Sequence, residues 1–254
     1  MLKDKLKKKK LTIGSWITLA HPAIAEIMAK SGFDWLAVDM EHSVITLSEA
    51  QNLIQVIELC QVTPLVRVSE NEPTLIKRVM DAGAHGVIVP MVNTADDARS
   101  AVSSVKYPPV GKRGVGLARA QGYGLEFEKY KNWVNKHSVV IVQIEHIEAV
   151  DNLDEILECP GVDGFIVGPY DLSASLGKPG NYQNSAVTDA INEIRRKSKK
   201  HRCVSGFHVI PPDYRQVIKK AKEGYLFIGF SLDTLFLGNS CRKGILEAKK
   251  GCRI

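Results

Sequence analysis

The chain has 254 residues, of which 44% are hydrophobic and 24% are charged, with 20 glycines and 11 prolines. This composition is that of an ordinary globular protein and excludes intrinsic disorder and collagen-like repeats. No apolar run approaches the roughly 18 residues needed to cross a bilayer, and no apolar stretch of signal-peptide type follows the basic start MLKDKLKKKK. We therefore expect a soluble, cytoplasmic protein without a membrane partner.

The net charge of +6 is concentrated at the two ends of the chain. Residues 1–10 contain six lysines and one aspartate, and residues 241–254 contain five basic residues and one glutamate, so residues 11–240 carry a net charge of −3. A basic end can bind polyanions weakly, but a solvated end is the simpler interpretation. We predict a basic tail over residues 1–10 and no nucleic-acid partner. The five cysteines include no CxxC pair, which argues against structural zinc and a disulfide framework.

Eight short apolar segments, rich in β-branched residues, follow one another along the chain and alternate with amphipathic segments. The predicted strands are residues 12–19, 35–41, 63–68, 86–92, 139–145, 162–169, 203–209 and 225–231. The predicted helices are residues 23–31, 48–60, 73–82, 95–105, 147–158, 185–200, 212–222 and 232–248, with a short extra helix near 125–136. Continuous apolar strands indicate a parallel sheet buried on both faces. Eight βα units fit a single (β/α)₈ TIM barrel, here over residues 11–254, better than a doubly wound sheet.

Polar residues follow the predicted strands at their carboxyl ends, which in a parallel barrel all meet at one rim. They are Asp39, Glu41, His42, Arg67, Asn93, Gln143, Glu145, Asp171, Ser173, His208 and Asp233. Such clustering at the edge of an apolar barrel is typical of an enzyme that acts on small molecules. GxGxxG and GxxxxGK[ST] are both absent, so a nucleotide cofactor is not indicated.

Glu145 and Asp171 are the strongest pair, because one βαβ unit separates them and neighbouring strands lie about 4.8 Å apart. Two carboxylates with open positions suit a hard divalent cation such as Mg²⁺ or Mn²⁺. The structural alternative makes Glu145 a cap on the following helix and Asp171 a turn residue. The pattern alone leaves both interpretations open.

Arg67 and His42 are the other candidates at this rim. Arg67 lies in an apolar strand, where it would grip a carboxylate or an enolate in bidentate fashion, or pair with a rim acid such as Glu41. His42 suits general acid–base catalysis, although its position is equally consistent with a purely structural role. In the segment 161–177, glycines and hydroxyls after a strand favour binding of carboxylate or phosphate oxygens.

Six segments together resemble the HpcH/HpaI family of class II pyruvate aldolases. They are AVDMEHS (37–43), PLVRVSENEP (64–73), IVPMVNTADDA (88–98), YPPVGKRGVG (107–116), IVQIEHIEAVDN (141–152) and GVDGFIVGPYDLSASLG (161–177). The resemblance covers residues 11–240 and implies a barrel of the phosphoenolpyruvate/pyruvate-binding type. It implies cleavage or formation of a 4-hydroxy-2-oxo acid, such as 4-hydroxy-2-oxoheptanedioate or a 2-keto-3-deoxy sugar acid, to or from pyruvate and an aldehyde.

The resemblance also implies roles for individual residues. Glu145 and Asp171 would hold the divalent metal (Mg²⁺, Mn²⁺ or Co²⁺), and Arg67 would hold the keto and enolate oxygen of pyruvate. His42 would be the acid–base residue with Asp81 as its carboxylate partner. The residues around the bound pyruvate would be Gln143, Gly168, Pro169 and Ser173.

Asp81 lies near the end of a helix that returns toward the barrel floor, whereas His42 is at the top rim. If the two pair, Asp81 comes from a neighbouring subunit, so the resemblance implies a homo-oligomer, a trimer or a hexamer. Tyr170, where the family often has alanine, and the short stretch LARAQGYG (117–124) both lie on the aldehyde side. These departures leave the acceptor open. A citrate-synthase-like or acyl-CoA-lyase-like condensing enzyme and a non-catalytic polyanion-binding barrel remain as alternatives.

Overall fold

The computed structural model describes residues 1–252, and its centre is a closed barrel of eight parallel strands. The strands are β1 (Thr12–Ile17), β2 (Trp35–Asp39), β3 (Thr63–Arg67), β4 (Gly86–Val89), β5 (Val139–Ile144), β6 (Gly164–Val167), β7 (Val204–Val209) and β8 (Phe227–Leu232). Each strand pairs with its neighbours in sequence, and β1 closes the barrel against β8. The predicted (β/α)₈ barrel is confirmed, with all eight strands at the predicted places.

Helices alternate with these strands. They are α1 (Leu2–Lys7), α2 (Pro22–Ala29), α3 (Leu47–Leu59), α4 (Pro73–Asp81), α5 (Ala95–Val105), α6 (Phe127–His137), α7 (Ile147–Asp151), α8 (Leu153–Glu158), α9 (Pro169–Ser175), α10 (Ser185–Ser198), α11 (Tyr214–Lys222) and α12 (Asp233–Gly251). The helix predicted over residues 147–158 is divided at Asn152 into α7 and α8. Two helices, α1 and α9, were not expected from the periodicity, because each spans less than two turns.

Two apolar layers hold the barrel together. The inner layer fills the barrel, where the Trp35 ring stacks on Phe227 with ring centroids 4.2 Å apart. The outer layer lies between the strands and the surrounding helices and includes Val66, Val87 and Val142. The residues of β2 and β5 are all buried, which explains their continuous apolar sequence.

Helix α1 covers the amino-terminal end of the barrel. Leu2 and Leu6, four residues apart, are buried against the inner layer. Lys3 is buried too, and its Nζ forms an ion pair with Asp163 at 3.0 Å and donates to the Ser138 carbonyl oxygen at 2.8 Å. Residues 2–7 therefore form a helix docked on the barrel and are not a solvated tail.

Helix α12 begins at the end of β8, and its residues 239–251 are all exposed. Within residues 1–252, no helix is long and apolar enough to cross a membrane.

Candidate active site

The carboxyl ends of the strands surround a cavity of about 260 Å³. The predicted site residues that line it are His42, Arg67, Gln143, Glu145, Gly168, Pro169 and Asp171. Trp16, Tyr170, His208 and the apolar side chains Ile166, Val167 and Ile210 complete its wall. Ser173 and Asp81 do not line the cavity.

Glu145 directly follows β5 and is buried, with 3% of its surface exposed. Its Oε1 accepts a hydrogen bond from the Met91 backbone N–H at 2.8 Å, and its Oε2 accepts one from Gln143 Nε2 at 2.5 Å. The next helix is capped by His146, whose Nδ1 accepts from the Glu148 N–H, so Glu145 is not the helix cap. The carboxylate is held in position from two sides and faces the cavity.

Met91 supplies its N–H from a strained backbone. Its φ is +49°, in the left-handed region that a residue with a side chain seldom adopts. This turn after β4 directs the Met91 N–H at the Glu145 carboxylate. Strain of this kind, fixed by the surrounding fold, is typical of functional sites.

Glu41 and Glu145 both hold raised pKa values. Burial raises the pKa of Glu145 to about 7, and the charges of Glu41 and Asp171 raise it too, against the hydrogen bonds from Met91 and Gln143. Burial also raises the pKa of Glu41 to about 7, with further increases from Asp39 and Asp171 that Arg67 opposes. Several carboxyl groups therefore crowd one small volume with too little positive charge between them.

Arg67 ends β3 and is held in place by rim acids. Its Nε and Nη2 donate to the two carboxylate oxygens of Asp39 at 2.9 Å and 2.6 Å, a bidentate pair. Its Nη1 lies 3.2 Å from Glu41 Oε2 and 3.5 Å from Gln143 Oε1. The guanidinium also lies over the Trp16 ring, 4.5 Å from its centroid. This fixed orientation leaves Nη1 as the edge nearest Gln143.

Gln143 connects the cation to the buried acid, because it accepts from Arg67 through Oε1 and donates to Glu145 through Nε2. Burial and the nearby charge of Arg67 lower the pKa of His208, so this imidazole is neutral at physiological pH. Its Nε2 is buried and has no hydrogen-bond partner among the described residues.

Asp171 lies in the first turn of α9, which begins at Pro169. Its side chain makes no hydrogen bond or ion pair within residues 1–252, and it lines the cavity. Gly168, just before this helix, is in close contact with Glu145: a Cβ there would lie 2.6 Å from Glu145 Oε2. Glycine at this position lets the Glu145 carboxylate and the start of α9 approach each other.

Three other predicted site residues take less central positions. The His42 side chain is 63% exposed at the cavity mouth, with Nε2 3.8 Å from Glu41 Oε2. Asp81, at the end of α4, forms an ion pair with Arg113 and makes no contact with His42 in this chain. The Ser173 hydroxyl donates to the Tyr170 carbonyl at 2.6 Å and accepts from the Gly180 N–H at 2.8 Å, so it holds the loop around α9 together.

The sequence did not assign roles to Trp16 and Met91. Trp16 lies among four consecutive buried residues at the end of β1, so the burial pattern does not distinguish the residues that face the barrel interior. No sequence signal identified the Met91 N–H as a donor, because backbone groups carry no residue identity.

The donor set fits a divalent cation. Within residues 1–252 no cluster of three or more His, Cys, Asp or Glu has metal-binding geometry. Glu145 and Asp171 nevertheless present two carboxylates, one held from two sides and the other without a protein partner. A hard cation with few protein ligands completes its shell with water and substrate oxygens. Such a charge would also offset the burial and the neighbouring carboxylate charges that raise the pKa of Glu145.

Comparisons with known proteins identify the relatives of this chain. A family model described as HpcH/HpaI aldolase/citrate lyase matches residues 12–238. A 2-keto-3-deoxy-L-rhamnonate aldolase of Escherichia coli O17:K52:H18 is 38% identical over 251 residues, which are 98% of this chain and 93% of the relative.

Solved structures are similar over almost the whole chain. A HpcH/HpaI aldolase/citrate lyase family protein from Burkholderia cenocepacia J2315 has a TM-score of 0.92 and 33% identity and covers 98% of both chains. The citrate synthase SbnG has a TM-score of 0.88 and 26% identity and covers 100% of this chain and 99% of its own.

Proposed function

The chain belongs to the HpcH/HpaI aldolase/citrate lyase family and is a class II aldolase, and we propose that it cleaves or forms a 4-hydroxy-2-oxo acid. The products of cleavage, or the substrates of formation, are pyruvate and an aldehyde. The cofactor is a divalent cation, Mg²⁺, Mn²⁺ or Co²⁺. The observation that carries the proposal is the placement of Glu145, Asp171 and Arg67 around one small cavity. A 2-keto-3-deoxy sugar acid is the substrate class suggested by the name of the E. coli relative.

In cleavage, the C3–C4 bond of the substrate breaks and its electron pair passes into a pyruvate enolate. Glu145 and Asp171 would hold a divalent cation, which would supply Lewis-acid stabilisation of that charge. The Nη1 edge of Arg67 is the protein donor that approaches the enolate oxygen, and its bidentate pair with Asp39 fixes the direction of approach.

His42 moves the proton of the 4-hydroxyl group. Its exposed imidazole stands at the mouth of the cavity, where the aldehyde half of the substrate would lie. It accepts the hydroxyl proton as the aldehyde forms and then returns this proton to C3 of the enolate, which gives pyruvate. Gln143 keeps the Glu145 carboxylate and Arg67 at a fixed separation, and Pro169 and Gly168 form the wall beside the carboxylate of pyruvate.

We extend the proposal to the assembly. Asp81 has no contact with His42 within one chain, so its acid–base role requires a second copy and a homo-oligomer, a trimer or a hexamer. Dilution tests this arrangement, with the oligomeric state measured by sedimentation and the activity measured in parallel. Loss of both at the same protein concentration would support it. A small-molecule enzyme of this kind is expected to act in the cytoplasm.

Pyruvate release tests the function, with EDTA and re-added Mg²⁺, Mn²⁺ or Co²⁺. We expect EDTA to abolish activity and a divalent cation to restore it. Glu145→Gln and Asp171→Asn should each reduce kcat by about 10²-fold or more, whereas Glu148→Gln, in the exposed first turn of α7, should retain it. Full activity of both carboxylate variants would overturn the proposal.

A condensing reaction is the second candidate, favoured by the full-length similarity to a citrate synthase. It would use the same cavity to join an enolate to an oxo acid. Oxaloacetate and acetyl-CoA, offered in place of pyruvate and aldehydes, separate the two: citrate formation faster than pyruvate release would favour this candidate.

A further inference from the structure

A second cavity lies between α10 and α11, beside the carboxyl end of β7, and measures about 630 Å³. This volume is within the range of about 300–1,000 Å³ typical of small-molecule sites. Pro169, Tyr170, His208 and Ile210 line both this cleft and the active-site cavity, so the two adjoin. Tyr170 stands between them, with its ring edge-to-face on Tyr182 at a centroid distance of 5.3 Å.

The floor of the α10–α11 cleft is apolar. Ile191 from α10 and Phe207 and Val209 from β7 line it. The Phe207 ring packs against Tyr225 with centroids 5.2 Å apart. This surface suits an aromatic or aliphatic body of about the size of one ring.

The rim of the cleft is basic. Arg195, Lys219 and Lys220 line it together with one acid, Glu223, so these side chains carry a net charge of +2. Lys220 is paired with Glu223 at 2.9 Å and lies over the Phe207 ring. Among residues 1–252, neither Arg195 nor Lys219 has a carboxylate partner. Two cations are thus available to an anion in the cleft.

Two polar atoms beside the cleft are buried without a hydrogen-bond partner among the described residues, the Tyr225 hydroxyl and Arg195 Nε. Tyr225 is only 2% exposed. Burial raises its pKa to about 12, so it remains protonated and can donate. Buried polar groups are nearly always satisfied, and two unsatisfied donors at one cavity indicate a missing partner.

We propose that the α10–α11 cleft is a second small-molecule site, which takes a phosphate monoester with an apolar body. The net charge of +2 matches a phosphate dianion better than a single carboxylate. Arg195 and Tyr225 supply donors for its oxygens, and Phe207 and Val209 receive the body. This site is separate from the proposed aldolase chemistry and needs no divalent cation.

Calorimetric titration with phenyl phosphate in the presence of EDTA tests the proposal, because EDTA removes the cation-dependent site from the measurement. We expect saturable binding that excess pyruvate does not displace. Inorganic phosphate lacks the apolar body, phenol lacks the charge and phenylacetate carries only one negative charge, so each should bind at least about 10-fold more weakly. Absence of saturable phenyl phosphate binding, or its displacement by pyruvate, would overturn the proposal.

Three variants locate the site. Arg195→Gln should weaken phenyl phosphate binding by about 10-fold or more, and Tyr225→Phe by about 3- to 10-fold. Arg196→Gln is the matched control, because Arg196 is exposed and already paired with Glu193. Tyr225→Phe should melt no earlier than the wild type, since the lost hydroxyl has no partner. Equal weakening by the Arg195 and Arg196 variants would also reject the site.

Discussion

Gly168 offers a test of the active-site geometry that removes no charged group. An added Cβ would lie 2.6 Å from Glu145 Oε2 and 3.0 Å from Glu145 Cβ, whereas ordinary contacts begin at 3.4 Å. The backbone of Gly168 has a φ of −92°, which alanine adopts without strain. The whole effect of Gly168→Ala is therefore steric and falls on Glu145.

The carboxylate must retreat by about 0.8 Å to restore an ordinary contact. That displacement weakens the hydrogen bond that Glu145 Oε2 accepts from Gln143 Nε2 and changes the separation of the carboxylate from Asp171. A misplacement of about 1 Å in an active site can cost about 10²-fold in rate, so we expect kcat for pyruvate release to fall by that order. The overpacking should cost about 1–3 kcal/mol of stability.

The measurement is the rate of metal-dependent pyruvate release, with thermal melting to confirm folding. Gly244→Ala in α12 is the matched control, because nothing lies within 4 Å of the added Cβ. It should keep full activity and melt at the same temperature or higher. A Gly168→Ala protein that is folded and fully active would show that the position of the Glu145 carboxylate does not control the reaction.

Three further predictions concern the Arg67 guanidinium, the docking of α1 on the barrel and the stability at low pH. Arg67→Lys cannot form the bidentate pair with Asp39 and should lower kcat/KM for pyruvate release by about 10²-fold; unchanged kinetics would refute the role of the guanidinium. Leu6→Ala should lower the free energy of unfolding by about 2–4 kcal/mol in urea titrations, and a loss below about 0.5 kcal/mol would mean that α1 is not part of the core. The hydrogen bond with His85, together with the hydrogen bond and charge of Arg119, lowers the pKa of Glu58 from 4.5 to about 2 against the effect of burial. The ionised Glu58 carboxylate therefore stabilises the folded protein above pH 4.5, and this contribution is lost as the pH falls toward 2. Glu58→Gln should reduce the change in the free energy of unfolding over this pH range by about 1 kcal/mol, after allowance for solvent screening. If the free energies of unfolding of this variant and of the wild type change equally over that pH range, the role of Glu58 is contradicted.

The fold was predictable because burial on both faces leaves a plain signal in the sequence. In β2, WLAVD is buried at every position, and no amphipathic helix has such a pattern. Convergence of the rim residues then followed from the topology alone, since parallel strands end on one side. His42, Arg67, Glu145 and Asp171 reached one cavity for that reason.

The features of the site that the sequence did not predict depend on backbone geometry and on which of several nearby acids pairs with a given cation. The expected pairing of Arg67 with Glu41 is present at 3.2 Å, but the two closest contacts of Arg67 are with Asp39, a neighbour in register on β2 that the sequence did not single out as its partner. The donor role of Met91 follows from a positive φ that no residue type signals. In α1, the six lysines of residues 1–10 obscured the two leucines that dock on the barrel.

The electrostatics of the rim give a reason for these arrangements. Arg67 is largely neutralised by Asp39, whose pKa is lowered by its hydrogen bonds and charge interaction with Arg67 despite the opposing effect of burial. Burial, together with the charges of the neighbouring carboxylates, raises the pKa values of Glu41 and Glu145 to about 7. His208 adds no positive charge, because its pKa is lowered. Four carboxyl groups thus face one guanidinium at this rim. A divalent cation bound there would offset part of the excess negative charge, which is the physical reason that this arrangement favours a cation.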